Sequence, residues 1–237
     1  MLRSVSLSMK EGECLAIVGE SGSGKSTLAK LILGLEAPDE GRIRFMGIDM
    51  HTASRRQIHA IRRQLQGVFQ NSGDALNPRM TAGKIVTEPL RNYERLDSAE
   101  MRQRQHDLLC SVGLSPKGSG KYPHQFSGGQ QQRLNIARAL ALSPKLIVLD
   151  EVVSSQDPAI QLRLLELLHD LKIRLGLSYL FITHDIRAAV FLADRLIVMD
   201  RGCVVEHTDI PRELEGLRHP ASRKLLDALL PDGIGDG

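Results

Sequence analysis

Short apolar runs recur along the chain, and most of them lack the polar alternation of a strand with one solvent-facing side. In CLAIV at 14–18, for example, every residue is apolar. Continuous runs of this kind are typical of strands that are covered on both faces, as in parallel sheets. The pattern predicts strands at 14–18, 146–150, 179–183, 195–199 and 203–206.

Longer segments with helical spacing lie between these runs, at 27–35, 134–142 and 158–175. The last has the clearest boundaries, because Asp157 is suited to cap it, Pro158 to open its first turn and Gly176 to end it. Strands and helices therefore alternate. This alternation predicts an α/β fold with a mainly parallel sheet.

The middle of the chain, about 71–125, has a different character. It contains four prolines and a polar helical stretch at 98–114, and it shows no strong strand pattern. We expect a helical insertion carried on the α/β core. The chain should then form a single domain over 1–237, with a core at 1–70 and 143–210, a helical insertion at 71–142 and a C-terminal extension at 211–237.

Composition limits the classes of protein to which this chain could belong and the compartment in which it is expected. The net charge of +3 gives no argument for nucleic-acid binding, and 3% aromatic residues without tryptophan offer no stacking platform for bases. No apolar run approaches the roughly 20 residues that span a bilayer, and the start of the chain lacks the apolar stretch of a signal peptide. A cytoplasmic protein is expected. The cysteines show no metal-ligand spacing, and Cys14 and Cys203, which open apolar runs, are expected to be buried thiols.

Residues 19–27, GESGSGKST, follow the first apolar run and fit the pattern G-x-x-x-x-G-K-[ST]. The glycines would let the backbone wrap closely, so that successive N–H groups and a helix N-terminus face phosphate oxygens. Lys25 would reach the β- and γ-phosphates, and the Ser26 hydroxyl would hold Mg²⁺. A chance glycine-rich turn is the alternative, but the strand–loop–helix context favours a nucleotide site. The expected nucleotide contacts are Gly19, Ser21, Gly22, Ser23, Gly24, Lys25, Ser26 and Thr27.

Two adjacent carboxylates, Asp150 and Glu151, end the apolar run at 146–150. A strand that runs out into a solvated turn would explain an isolated pair. Because the chain also has a phosphate loop, we expect that Asp150 approaches the Mg²⁺ held by Ser26. Glu151 should point the other way and act as the general base for the attacking water. ATP and Mg²⁺ are the expected cofactors.

Residues 121–151 resemble the signature segment of the ATP-binding cassette (ABC) ATPases, with FSGGQ in the place of the signature motif. Without that resemblance, the stretch would be only a flexible turn ahead of a helix, with a helix N-terminus that could attract an anion. The resemblance implies a head-to-tail dimer. In that dimer, the ATP of one subunit is closed over by the signature residues of the other, here Ser127, Gly128, Gly129 and Gln130.

Two further motifs are similar to those of the same family. VFQN at 68–71 resembles the Q-loop, which implies that Gln70 contacts Mg²⁺ or the attacking water and relays the state of the site to a membrane partner. FITHD at 181–185 resembles the switch region, which implies that His184 reaches the γ-phosphate as a second catalytic residue beside Glu151. The remaining histidines have no such support and are expected to be structural.

The stretches at 34–43, 75–90 and 219–231 are similar to the oligopeptide, dipeptide and nickel importer branch of the family, with a lean toward nickel or metallophore members. The resemblance implies an ATPase subunit, peripheral on the cytoplasmic face of the inner membrane, that pairs with a second ABC ATPase subunit. It would serve two membrane permeases and, indirectly, a solute-binding protein, without nucleic acid. The cargo would be nickel, a metal chelate, or di- or oligopeptides.

A non-transport ABC ATPase is the alternative, either an accessory ATPase of phosphonate degradation or a nucleic-acid maintenance factor. The latter tend to carry a long coiled coil or a large insertion between the two nucleotide motifs. Here Lys25 and Asp150 are only 125 residues apart (150 − 25), without sustained heptads, which argues against that class.

Two departures from the family pattern change the expectations. No Tyr or Phe precedes Phe45, so the aromatic contact to adenine is expected to be absent, and the N-terminal antiparallel β portion that would carry it is expected to be truncated. Residues 154–157 read Ser-Ser-Gln-Asp where the family's D-loop usually has Ser-Ala-Leu-Asp. Losing the Leu changes the expected packing across the dimer, whereas Asp157 is retained.

Overall fold

The structure, a computed structural model, describes residues 2–69, 75–153, 157–210 and 214–227. Within these residues, the strands form a six-stranded sheet and a separate two-stranded antiparallel hairpin. The strands are β1 (Cys14–Val18), β2 (Arg44–Phe45), β3 (Ile48–Asp49), β4 (Leu65–Phe69), β5 (Leu146–Asp150), β6 (Ser178–Thr183), β7 (Arg195–Asp200) and β8 (Cys203–Asp209).

The order of strands in the main sheet is β4-β5-β6-β1-β7-β8, and all neighbours are parallel except β7 and β8. Strand β6 therefore lies between β1 and β5. Val18 at the end of β1 pairs with Thr183, and Asp150 at the end of β5 pairs with Ile182. Because parallel strands end at the same edge of a sheet, the residues that follow β1, β5 and β6 meet there.

Helices cover both faces of the sheet. They are α1 (Lys25–Ile32), α2 (Arg55–Gln64), α3 (Ala82–Val86), α4 (Leu90–Tyr93), α5 (Ser98–Ser111), α6 (Gly128–Leu140), α7 (Pro158–Leu175), α8 (Ile186–Leu192) and α9 (Pro220–Asp227). Single 3₁₀ turns lie at Pro116–Gly120, Pro123–Gln125 and Leu214–Gly216.

Strand β1 shows why its sequence is apolar at every position. Ala16 and Val18 belong to the core cluster shared with α6, α7 and α8, whereas Leu15 and Ile17 belong to the cluster shared with α1 and α2. Alternate residues of a strand point to opposite faces, and here both faces are buried. All five residues of β1 are fully buried.

The predicted α/β architecture is confirmed, and the predicted strands and the helix at 158–175 are all present. In the described part of 71–142, the regular elements are helices and 3₁₀ turns, without a strand, as expected of a helical insertion. The division of the chain into core, insertion and extension stays a prediction. Of the N-terminal antiparallel β portion, the described residues contain the β2–β3 hairpin, while residues 2–10 form neither strand nor helix.

Several features were missed or misplaced by the sequence pattern, for physical reasons. Strand β4 was missed because Gln66 and Gly67 interrupt its apolar positions, and a Cβ at Gly67 would lie only 2.8 Å from Leu33 Cδ1 of the neighbouring segment. Helix α6 starts six residues before the predicted 134 (134 − 128), because Ser127 caps it. Cys14 is buried as predicted, whereas Cys203 is half-buried.

Candidate active site

The loop between β1 and α1 has the backbone geometry of a phosphate site. Gly24 precedes α1 with a φ of 100°, in the left-handed region that favours glycine. A Cβ at Gly19 would lie 2.2 Å from the Met199 carbonyl oxygen, so a larger residue does not fit there. No side chain caps α1, and its first N–H groups are therefore available to an anion.

The Lys25 side chain crosses this loop and is only 5% exposed. Its Nζ donates hydrogen bonds to the carbonyl oxygens of Gly19 at 2.7 Å and Glu20 at 2.9 Å. Burial lowers the pKa of Lys25, while the carboxylates of Glu151 and Asp150 act against this shift. The ammonium is thus held over the loop by neutral carbonyls, and a phosphate oxygen would be a charged and stronger partner.

Ser26, in the first turn of α1, and Asp150, at the end of β5, come together at this edge of the sheet. The Ser26 hydroxyl donates a hydrogen bond to Asp150 Oδ1 at 3.3 Å, and Asp150 is 7% exposed. Burial raises the pKa of Asp150, and the Ser26 hydrogen bond and the Lys25 charge only partly oppose that shift. A buried carboxylate whose charged form is disfavoured, beside a hydroxyl oxygen, fits the oxygen ligands that Mg²⁺ prefers.

Glu151 and His184 form a second pair at the same edge. The Glu151 N–H donates to the Ile182 carbonyl at 2.9 Å and so extends the β5–β6 pairing by one bond, while its φ of 50° turns the chain as it leaves β5. Glu151 Oε2 lies 3.1 Å from His184 Nδ1. The two acids thus bond different partners, Ser26 for Asp150 and His184 for Glu151, and their roles as metal ligand and base stay predictions. The glutamate side chain is 20% exposed and the histidine side chain 58%, so water can reach this pair.

The signature residues lie at the start of α6. Ser127 Oγ accepts from the Gln130 N–H at 3.4 Å, and Gln130 Oε1 accepts from the Ser127 N–H at 3.0 Å. This is a capping box, and its residues are exposed except for half-buried Gly129. Among the described residues, no hydrogen bond or ion pair joins this turn to the phosphate loop or to the acid pair.

The structure describes only some of the remaining predicted site residues. Asp157 caps α7, with Oδ1 accepting from the Ala159 N–H at 2.8 Å. Gln70, of the Q-loop, and residues 154–156, of the D-loop, lie outside the described residues. The structure therefore brings together the phosphate loop, Asp150, Glu151 and His184, and among the described residues no hydrogen bond or ion pair links the signature turn to them.

Two supporting residues were not anticipated from the sequence. Gln161 Nε2 donates to Asp185 Oδ2 at 2.8 Å and to the Val153 carbonyl at 3.2 Å, and so connects the segments that follow β5 and β6. Asp185 also caps α8. Its position before a helical run was a capping signal in the sequence, whereas nothing local pointed to Gln161.

The phosphate loop is also held from the β7–β8 turn. The Gly202 N–H donates to the Ser23 carbonyl at 3.0 Å. This bond satisfies a loop carbonyl from outside the loop, while the Ser23 N–H donates within the loop to the Glu20 carbonyl at 3.2 Å.

Comparison with known proteins agrees with this geometry. The model of the ABC transporter family matches residues 2–154. The chain belongs to the ABC transporter family. It is 47% identical over 231 residues to the nickel import ATP-binding protein NikE of Rhodospirillum rubrum, a match that covers 98% of this chain and 83% of that protein. It is 42% identical over 230 residues to the oligopeptide transport ATP-binding protein OppF of Escherichia coli K12, covering 96% of this chain and 69% of that protein. The predicted resemblance to nickel and oligopeptide importer ATPases is confirmed.

Solved ABC structures share the fold. One is the ATP-binding cassette MJ0796, solved as a dimer in a post-hydrolysis state bound to ADP and Pi. It is 34% identical, with a TM-score of 0.79, over 88% of this chain and 90% of that one. Another is cbiO1 of Clostridium perfringens, part of the ABC transporter complex cbiONQ, with 28% identity and a TM-score of 0.80 over 97% and 92% of the two chains. The predictions of a P-loop NTPase core and of an ABC ATPase are confirmed. In the described part of this ABC chain, no helix has both the length and the apolar character to cross a bilayer.

Proposed function

We propose that this ABC ATPase binds and hydrolyses ATP to drive the uptake of nickel, a metal chelate, or di- or oligopeptides. The observation that carries the proposal is a convergence at one edge of the sheet. The Lys25 ammonium, the Ser26–Asp150 pair and the Glu151–His184 pair all lie where β1, β5 and β6 end.

Each of these side chains is suited to one role. Lys25, buried among loop carbonyls, neutralises the β- and γ-phosphates, and Ser26 and Asp150 supply the two oxygens that hold Mg²⁺. The chemistry that Mg²⁺ would supply when held by Ser26 and Asp150 is positive charge beside the phosphates. Glu151 takes a proton from the attacking water, and His184, at 3.1 Å, orients that carboxylate and reaches toward the γ-phosphate.

The signature turn supports a dimer in which each site is completed by the partner subunit. Within the described residues, its exposed capping box forms no hydrogen bond or ion pair with the chain's own phosphate loop, and it presents N–H groups and a helix N-terminus to an anion. We propose that the Ser127–Gln130 turn closes over the partner's ATP, and that Asp157, at the start of α7, lies at the same interface. Gln70 is proposed to link the site to the membrane partner.

Partner and location follow from the same proposal. Two permeases and, indirectly, a solute-binding protein would complete the importer, with this subunit peripheral at the cytoplasmic face of the inner membrane. NikE and OppF are nickel and oligopeptide subunits by name, at 47% and 42% identity, which supports nickel first and peptides second.

Substitution of the proposed base tests the mechanism. In the complex purified with its permeases, Glu151→Gln should cut ATP turnover by roughly 10²–10⁴-fold, the typical contribution of general-base catalysis, while ATP stays bound. Glu166→Gln on the exposed side of α7 is the matched control and should turn over ATP normally. Unchanged turnover in Glu151→Gln would exclude the assignment of the base.

Cargo is tested in cells. A strain whose only copy carries Glu151→Gln should accumulate less radioactive nickel than the Glu166→Gln strain. Normal nickel accumulation together with a loss of dipeptide uptake would move the assignment to peptides, and normal uptake of both would refute the import proposal.

A further inference from the structure

Helix α2 has a strongly one-sided charge distribution. Its sequence, RRQIHAIRRQ, contains four arginines and one histidine and no acidic residue. Successive residues of an α-helix rotate by about 100° around its axis, so these five side chains fall within about 120° of one another. We call this set the basic face: Arg55, Arg56, His59, Arg62 and Arg63.

Part of the basic face is fixed to the helical insertion. Arg63 forms an ion pair with Glu94 at 2.7 Å, and the His59 ring stacks on Tyr93 with 4.3 Å between centroids. These two contacts set the rotation of α2 about its axis. The side chains of Arg55, Arg56 and Arg62 are exposed. Within the described residues, none of their guanidinium groups forms an ion pair.

The function proposed above makes no use of these cations. Helix α2 contributes no side chain to the nucleotide site, and its packing on the core is done by Ile58 and Ile61, which lie outside the basic face. Solubility alone does not require a single sign of charge. Helix α5, which is also exposed, mixes the two signs, with Arg102 and Arg104 among acidic neighbours.

We propose that the basic face of α2 is a docking surface for anionic phospholipid headgroups. Guanidinium groups bind phosphate oxygens in a bidentate way, and clusters of exposed Arg are attracted to anionic membrane surfaces. The proposal goes beyond the importer function, because it adds a membrane contact made by the ATPase itself and does not depend on cargo or hydrolysis.

The shape of the face favours a membrane over a protein or a nucleic acid. Arg62 lines a cavity beside α2, whereas Arg55 and Arg56 do not line it, so the three guanidinium groups do not share one groove that would select a particular partner shape. Lipid headgroups diffuse laterally, so one can move to each guanidinium without a matching rigid surface. A single-stranded nucleic acid would be expected to use aromatic stacking as well, and the tyrosine beside this face, Tyr93, is already stacked on His59.

Vesicle flotation with the purified chain tests the proposal. Wild type should bind vesicles of phosphatidylcholine mixed with phosphatidylglycerol, should not bind phosphatidylcholine alone, and should be released by salt. Replacing Arg55, Arg56 and Arg62 by Gln keeps helix propensity and should weaken binding by roughly 100-fold, since each basic residue contributes a several-fold attraction.

The matched control replaces exposed arginines on three other helices by Gln, in Arg102→Gln, Arg163→Gln and Arg223→Gln. Each triple variant lowers the net charge from +3 to 0 (3 − 3), so a difference between them reports position rather than total charge. The control should bind within about threefold of wild type, because distant surface charges are screened. Equal loss in both variants would overturn the proposal.

A second readout protects this result from a folding artefact. Circular dichroism and basal ATP turnover should be the same for wild type and both variants, because none of the six arginines contributes to the nucleotide site. A wild type that ignores anionic vesicles would also overturn the proposal, and would leave an acidic protein segment as the partner of this face. Stronger binding to duplex DNA than to anionic vesicles would also overturn the proposal, and would make nucleic acid the partner of this face.

Discussion

Gln161 offers the sharpest test of how the site is held in register. Its amide donates to Asp185 Oδ2 at 2.8 Å and to the Val153 carbonyl at 3.2 Å. Val153 follows Glu151 by two residues, and Asp185 follows His184 directly. One side chain therefore connects the segment that carries the base to the segment that carries its histidine partner. Gln161→Met removes both bonds and largely keeps the volume.

The expected loss follows from the two bonds. A hydrogen bond to a carboxylate contributes about 1.5–3 kcal/mol, and a longer neutral one about 0.5–1 kcal/mol. Because Gln161 and Asp185 are half-buried rather than buried, we take the lower ends, which gives about 2 kcal/mol. For a chain of 237 residues, this corresponds to a fall in Tm of about 4–8 °C.

Activity should fall in a particular way. Misplacing a catalytic group by a fraction of an ångström costs about tenfold in kcat, whereas KM for ATP should stay within about twofold, since Lys25 and Ser26 are untouched. Thermal unfolding and steady-state ATP turnover measure both effects. Gln103→Met is the matched control, because Gln103 also donates to a carboxylate, Asp107 Oδ1 at 2.8 Å, but on the exposed surface of α5. If the two variants lose the same stability, or if Gln161→Met raises KM and spares kcat, the reasoning is wrong.

Three other outcomes are expected. Lys25→Met should weaken ATP binding at least tenfold in calorimetry without lowering Tm, because it replaces a buried ammonium by an apolar chain; ATP affinity equal to wild type would contradict its role. Burial raises the pKa of Asp150 in the folded state, so its ionised form opposes folding above that pKa, and the penalty fades as pH falls toward the unfolded-state value. Asp150→Asn should therefore unfold at a higher temperature than wild type near neutral pH, with an advantage that shrinks on acidification and an ATPase activity that is lost; an advantage that grows in acid would refute this sign. Burial raises the pKa of the Cys14 thiol, so a brief maleimide treatment read by mass spectrometry should label exposed Cys110 and spare Cys14, and equal labelling would place Cys14 wrongly.

Local signals explain which parts of the fold could be read from the sequence. Helix α7 was predicted with its observed bounds, because Asp157, Pro158 and Gly176 each act on neighbouring backbone groups. Strand β1 was also predicted with its observed bounds, since burial on both faces leaves every position apolar. Strand β4 was not, because its place in the sheet depends on its pairing with β5, and its own residues, with Gln66 and Gly67 at the centre, carry little of that information.

For the site as well, features with a local sequence signal were predicted, whereas contacts between distant residues could not be predicted from local signals. The phosphate loop and the acid pair were found from motifs that are contiguous in sequence. The Ser26–Asp150 contact joins residues 124 positions apart, and it could be expected only because a metal ion was expected between them. The Gln161–Asp185 bond had no such guide. Net charge was misleading for the surface, since a total of +3 averages over the chain and hides the one-sided cations of α2.

The capping box at the signature turn restricts which residues can stand at position 127. As the helix cap, Ser127 uses an oxygen lone pair to accept from the Gln130 N–H, and its hydroxyl hydrogen remains free to be donated elsewhere. Asp and Asn cap helices as well as Ser does, but a carboxylate would repel a phosphate, and an amide would present a different geometry. A mutational scan scored by folding alone would accept all three residues, whereas a scan scored by turnover should separate them.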